Sequence, residues 1–346
     1  MARSLTSKRK KEHIRICLEE GVESKGTNGF ERYCLEHVAL PEANLSDIDT
    51  SMSFFGKRFT VPFLIEALTG GAPESERINR NLARAAENLG IGMALGSQRA
   101  MLENPDLGYT YQVRDVAPSI FLLGNIGASS LSLVNVEGIK RLVKAIGADG
   151  LAIHLNPAQE LCQPEGDTDW SHILERIEGI CRNTEFPVIV KETGCGISGS
   201  VAQKLVSVGV DCIDVAGKGG TSMMKVEYFR GSEGAKLFFD WGIQTAECLR
   251  QCKQAVTVPL IASGGMRTGL DCAKALAMSA SLVGFALPVL RAAVRSEKKV
   301  VEEIERLQWE LRRTMLLLGA KNIDELKQTK VIRMSETVNT TNVIQS

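Results

Sequence analysis

The chain has 346 residues, 44% of them hydrophobic and 24% charged, with 41 Lys+Arg balanced by 41 Asp+Glu. A formal charge of zero argues against a bulk nucleic-acid or membrane-surface binder, which needs a basic excess; 32 glycines with only 10 prolines argue against a disordered or collagen-like chain. The 9 cysteines form no tight framework and read as reduced thiols, and 4 histidines with no CxxC or HExxH spacing leave no histidine-rich metal cage.

The opening MARSLTSKRKKE is basic but has no apolar stretch after it, so it does not read as a signal peptide. No run approaches the ~18 apolar residues of a membrane span. A soluble, cytoplasmic protein is the expectation, without nucleic-acid or membrane partners. Residues 1–60 form an N-terminal extension carrying the basic run 8–11. From residue 61 a unit repeats: a short apolar strand, a turn rich in Gly, Ser or Asn, then a helical pattern. Strands are expected at 61–68, 91–97, 119–127, 150–156, 187–194, 212–220, 259–265 and 282–287, with helices at 74–90, 136–147, 169–181, 198–209, 242–254 and 269–279.

The strands are mostly continuous apolar runs, as in parallel sheets covered on both faces. Eight such units predict an α/β fold of the (β/α)8 TIM-barrel type over 61–290, within one domain spanning 1–346. A doubly wound sheet would carry a GxGxxG turn after an early strand, and none occurs. The connection 221–239 is long for a barrel loop and reads as a lid or binding element. In the C-terminal region 291–346, Val300, Ile304, Leu307, Leu311, Met315 and Leu318 share a helical face that could cover the barrel or meet another subunit. The tail from Met334 is polar and expected to fray.

Barrel active sites form at the C-terminal ends of the strands, and polar residues collect there: Thr69-Gly70, Ser97 to Arg99, Asn125, His154, Asn156, Gln159, Glu160, Lys191, Thr221-Ser222 and Ser263-Gly264-Gly265. The Gly264-Gly265 turn before a helix, with Gly284 to Ala286 on strand eight, reads as a phosphate cradle. Lys191 closes an apolar run and needs a partner or an anionic ligand; Glu227 is a possible partner. His154 is the best catalytic or substrate-contact histidine. Arg9, Lys10 and His13 could clamp an anion, although a solvated basic run would need no function. Glu160 is the obvious carboxylate for a divalent ion, and Mg2+ held by one carboxylate, water and substrate phosphates would be normal. Trp241 could wall an apolar substrate tail or pack in the core.

Several motifs then occur in order: RKKEH (9–13), LTGG (68–71), GSQR (96–99), GNIGAS (124–129), HLNPAQE (154–160), KETGCGIS (191–198), DVAGKGGTS (214–222), VEYFR (226–230), DWGIQT (240–245) and SGGMRTGLD (263–271). With them the chain resembles the type 2 isopentenyl-diphosphate isomerases, and HLNPAQE joined to an N-terminal RKxEH is the specific pair. The resemblance implies FMN across the barrel mouth, its phosphate at Gly264, Gly265 and Ala286 near Arg267. Leu68, Thr69, Gly70, Ser97, Asn125, Lys191, Thr221 and Ser222 would complete the flavin site. It further implies Arg9, Lys10, His13, Arg99, His154, Asn156, Gln159 and Trp241 around a five-carbon diphosphate, with Gln159, His154 and Glu160 catalytic and Glu160 carrying Mg2+. Reduced FMN, with NAD(P)H as its reductant, would supply the acid and base for a redox-neutral isomerisation. Leu68, Met223 and Met224 depart from the family pattern. A homo-oligomer, tetramer or octamer, is expected, and another FMN oxidoreductase of the 2-hydroxy-acid oxidase or dihydroorotate dehydrogenase type is the alternative activity.

Overall fold

The computed structural model describes residues 2–334, with side chains from Lys8 onward. The frayed tail expected after Met334 lies outside the described residues. Eight parallel strands close into a barrel: β1 (Phe63–Ile65), β2 (Gly92–Ala94), β3 (Leu122–Gly127), β4 (Gly150–His154), β5 (Val188–Lys191), β6 (Cys212–Asp214), β7 (Leu260–Ala262) and β8 (Leu282–Phe285), β8 pairing back onto β1. Helices follow the strands and cover the outside, as the repeat predicts.

Strand alternation sorts the side chains into two layers. Residues such as Phe63, Ile65, Val188, Val190 and Val283 face outward into the main apolar core against the helices. Leu64, Ala94, Leu123, Ile189, Cys212, Ile261 and Leu282 form a separate cluster inside the barrel. Beneath it a hairpin, Met52–Phe54 with Lys57–Phe59, closes the N-terminal end, with the Phe54 and Phe121 rings edge to face at 5.6 Å. Two residues further along five of these strands lie Glu66, Asn125, Lys191, Asp214 and Ser263, and beyond Leu282 lies Gly284. The inward layer is therefore apolar at the base and polar at the mouth.

Three elements refine the sequence expectations. The basic N-terminal run is not a solvated arm but part of helix α1 (Ala2–Glu19), which buries Ile16. The connection 221–239 contains a helix, Met223–Phe229, and a 3-10 turn, Glu233–Phe238. The C-terminal helix Glu297–Leu317 buries Val300, Ile304, Leu307, Leu311 and Met315 against the barrel helices, so that face is not available to another subunit. Trp309 and Leu317 stand exposed on the same helix instead. No helix among the described residues is long and apolar enough to cross a membrane.

Candidate active site

One pocket opens at the C-terminal mouth of the barrel. Its floor is the polar inward layer, its walls are the strand-end loops, and α1 lies across one side. On α1 the residues Lys10, His13, Ile14 and Cys17 all line the pocket, together with Arg9. Their spacing of three, four and seven places them on one helical face. The pocket also takes Leu68, Thr69, Ser97 and Arg99 from the loops after β1 and β2, and Asn125 from β3. His154, Asn156, Gln159 and Glu160 come from the end of β4, and Lys191 from β5. Thr221, Gly264, Gly265, Arg267 and Ala286 complete it.

Three expected site residues do not line the pocket. Gly70 faces away: a Cβ there would fall 2.1 Å from the Tyr111 ring, so the glycine admits the buried Tyr111, whose hydroxyl donates to Ser97 O at 2.7 Å. Ser222 caps the helix Met223–Phe229, accepting from Lys225 N, and donates to Phe239 O at 3.2 Å. Trp241 is 61% exposed and packs edge-on against Phe238, so it neither walls the pocket nor enters the core.

The phosphate-cradle reading has a geometric basis. Gly264 and Gly265 have φ of +99° and +75°, and a Cβ on Gly264 would meet Gly217 O at 2.1 Å. Their carbonyls accept from Thr245 Oγ1 at 2.6 Å and Asn28 Nδ2 at 2.8 Å. Neither N–H has a partner among the described residues, so the turn's unused polarity is positive. Gly264→Ala is expected to lower stability by about 1–3 kcal/mol through backbone strain and to weaken anion binding. Thermal unfolding and flavin titration measure the two effects.

Charge is arranged in two groups. At the rim, Arg9, Lys10 and Arg99 converge. Burial, with the charges of Arg9 and Arg99, pushes Lys10 down to about 7. Burial, with Lys191, Lys10 and Arg9, pushes His154 down to about 3, so its imidazole is neutral and pairs with Asn125 Oδ1 at 3.0 Å. An anion entering here would restore the proton of Lys10. Binding of inorganic pyrophosphate is therefore expected to weaken as pH rises through about 7, where the folded chain loses the Lys10 charge. Calorimetry on Lys10→Arg, whose guanidinium stays charged, should show a flatter profile than the wild type.

Glu227 does not reach Lys191 as its partner; it is buried on the helix Met223–Phe229. It lies 3.0 Å from His13 Nε2, accepts from Gln159 Nε2 at 3.1 Å and from Arg230 Nη1 at 2.5 Å. Burial raises its pKa, but His13 and Arg230 outweigh that and hold it below the ordinary range. Arg230 continues to Glu12 and Glu165, so α1, the helix Met223–Phe229 with its following residue, and the 163–167 loop share one ion-pair network. Lys191 instead lies 3.5 Å from Glu66 and 3.9 Å from Asp214, and donates to Glu192 O at 2.8 Å. Glu66, Asp214 and Glu227 were not singled out as site residues from the sequence, apart from Glu227 as a possible Lys191 partner. The available signal for the first two was a lone carboxylate ending an apolar strand.

Glu160 accepts from Asn156 Nδ2 at 3.0 Å, Asp167 N at 2.9 Å and Gln163 Nε2 at 3.4 Å. It has no ion-pair partner within 4.0 Å among the described residues, and the neighbouring Asn156 Oδ1 is buried without a partner. A carboxylate held by neutral donors beside an orphaned oxygen fits a hard divalent cation bound through one protein carboxylate. No cluster of three or more His, Cys, Asp or Glu that could cage a metal occurs among the described residues.

A family model described as FMN-dependent dehydrogenase matches residues 152–333, more than half of the chain. The isopentenyl-diphosphate delta-isomerase of Pyrococcus abyssi is 47% identical over 338 residues, covering 94% of this chain and 91% of that one. The isomerase of Archaeoglobus fulgidus is 48% identical over 332 residues, covering 94% and 95%. The chain belongs to the isopentenyl-diphosphate delta-isomerase family. The FMN-dependent model places it in the flavin-dependent, type 2 branch. A Synechocystis family member is 47% identical and covers 93% of this chain and 95% of that one. Among solved structures, a Pediococcus acidilactici (putative) lactate oxidase superposes with a TM-score of 0.69 over 96% of this chain and 94% of that one. At 19% identity it shows the fold the family shares with other barrels, and nothing of the chemistry.

Proposed function

We propose that the protein interconverts isopentenyl diphosphate and dimethylallyl diphosphate, using reduced FMN and Mg2+, with NAD(P)H reducing the flavin. The observation that carries this reading is a cationic rim, Arg9, Lys10 and Arg99, set across one pocket from a glycine turn whose N–H groups have no partner among the described residues. One pocket thus offers two separate anion sites, one for a cofactor phosphate and one for a substrate diphosphate. A 2-hydroxy-acid oxidase would leave the α1 cations without a purpose.

An unactivated alkene is a poor base, and the two carboxyl groups lining this pocket, Glu66 and Glu160, face Lys191 and a set of neutral donors. Reduced FMN, when bound, supplies the acid and base. The chain's residues then orient and exclude. Arg9, Lys10 and Arg99 hold the diphosphate, and Glu160 holds the Mg2+ that offsets its charge. His154, neutral and fixed by Asn125, serves as a hydrogen-bond partner rather than a proton donor. Gln159, buried in the pocket wall, is held by Asn156 and Glu227. Ile14, Leu68 and Met223 present apolar surface that keeps water from the five-carbon chain. FMN would lie with its phosphate on Gly264, Gly265 and Ala286 and its ring near Thr69, Ser97 and Lys191. The expected homo-oligomer would use surfaces such as that around Trp309 and Leu317.

The test is an anaerobic assay with FMN, Mg2+, NADPH and isopentenyl diphosphate, reading dimethylallyl diphosphate by chromatography. Product that needs reduced flavin, with far less NADPH consumed than product formed, supports a redox-neutral isomerase. A bound, reducible flavin without product would overturn the reading in favour of a flavin oxidoreductase.

A further inference from the structure

At the floor of the pocket, two carboxyls face one ammonium. Glu66 is 4% and Asp214 1% exposed, and Lys191 between them is 7% exposed. Lys191 Nζ lies 3.5 Å from Glu66 Oε2 and 3.9 Å from Asp214 Oδ2. Asp214 accepts a second bond, from Ser263 Oγ at 2.6 Å. Both oxygens of Glu66 are buried without a hydrogen-bond partner. Gly284 faces the same carboxyl from β8, where a Cβ would fall 2.3 Å from Glu66 Oε1. Glu66 lines the pocket and Asp214 does not, so Glu66 is the member of the pair open to a ligand.

The other titratable groups packed around it do not supply a second positive charge. Glu192 turns away, its carboxylate accepting from the backbone N–H groups of residues 193 to 196. Cys212, on β6 below Asp214, is buried and its thiol is pushed well up. His154, beside Lys191 on β4, is held neutral. One ammonium cannot balance two desolvated carboxylates, which favours the protonated form of Glu66. Burial and then the Asp214 charge raise Glu66, against the opposing pull of Lys191. Lys191 stays charged, because Glu66, Asp214 and Glu192 outweigh its burial.

We infer that Glu66 is a positioning residue that holds an exchangeable proton beside Asp214 and Lys191, so that this trio makes the reduction potential of bound FMN depend on pH. The inference rests on the reading that FMN occupies this pocket. Two-electron reduction by NAD(P)H delivers one hydride, which leaves the flavin with one more negative charge. When Glu66 has already lost its proton, it takes one up from solvent as the flavin gains that charge. When Glu66 still holds its proton, nothing further is taken up. The electrons come from the nicotinamide and the proton from water, so no other reactant is needed.

The experiment is the midpoint potential of the FMN-loaded protein from about pH 6 to about pH 9, followed by flavin absorbance, in wild type and Glu66→Gln. The wild type should show an added proton uptake on reduction at the alkaline end. Glu66→Gln should lack it, lying at a higher potential than wild type above neutral pH and coinciding with it near pH 6, about the acid limit. Asp214→Asn should also remove the added uptake, and it serves if Glu66→Gln does not fold. A wild-type profile with no added uptake overturns the inference without recourse to any variant, as does a Glu66→Gln profile that superimposes on the wild type. Failure of wild type to take up FMN would overturn the flavin reading as well, and that outcome is distinguished by the absent flavin spectrum.

Discussion

Glu160→Gln is expected to lower kcat/KM by about 100- to 1000-fold, the cost of removing one preorganised charge from an active site. The variant should need far more Mg2+ for half-maximal activity, while FMN uptake stays close to wild type. The argument is local. Glutamine keeps the volume of Glu160 and can still accept from Asn156 Nδ2, so the turn Pro157–Cys162 should hold its shape. Its amide cannot accept at both positions, so the bond from Asp167 N weakens and stability falls by only about 1 kcal/mol. The negative charge is lost altogether, and nothing nearby replaces it. Arg9 compounds the effect: Glu160 is the larger of the two carboxylate influences on it, so its guanidinium loses support along with the cation. Steady-state assays at several Mg2+ concentrations check this. Wild-type activity at wild-type Mg2+ levels would remove Glu160 from the metal role.

The barrel was legible because each strand is an apolar run that ends abruptly in polar residues. The same abruptness located Asn125, His154 and Lys191. Glu66 carried the same signal, two positions beyond inward-facing Leu64 as Lys191 is beyond Ile189, but it sits inside VPFLIEAL, where one acid among apolar neighbours is easily read as the strand's edge. Helix α1 was harder. Lys10, His13, Ile14 and Cys17 have helical spacing, yet the segment is so basic that charge masks the face. Only the tertiary dock, through Glu12, His13 and Glu23 onto Arg230, Glu227 and Arg267, turns it toward the pocket. Ser222 and Gly70 belong to motifs that reach the pocket, but in the fold one is spent on a helix cap and the other on close approach of Tyr111. Sequence adjacency to a site residue does not specify which way a side chain faces. Trp241 failed for a related reason: it stands exposed against Phe238, and nothing in DWGIQT marks that.

Lys191→Met is expected to destabilise the flavin-free protein by about 3–5 kcal/mol above neutral pH, because it leaves two buried carboxyls without the ammonium that faces them both. The loss should shrink as pH falls. In the variant, Glu66 has a folded pKa still further above its unfolded value, so the native state binds more protons than the unfolded chain. Stability then falls as pH rises from about 4 through the raised folded pKa, and it is recovered toward acid, where both states are protonated. Denaturant unfolding at about pH 5 and about pH 8, on either side of neutrality, would separate this from simple loss of packing, which would give the same deficit at both. A deficit independent of pH would mean that Lys191 does not serve the carboxyl pair. The double variant Glu66→Gln with Lys191→Met should regain part of the stability, since the neutral amide no longer needs a cation, and the non-additivity measures the coupling directly. Flavin uptake should not recover with it. That split would separate two things expected of one ammonium: holding the barrel floor together, and meeting the ligand proposed for the pocket it lines.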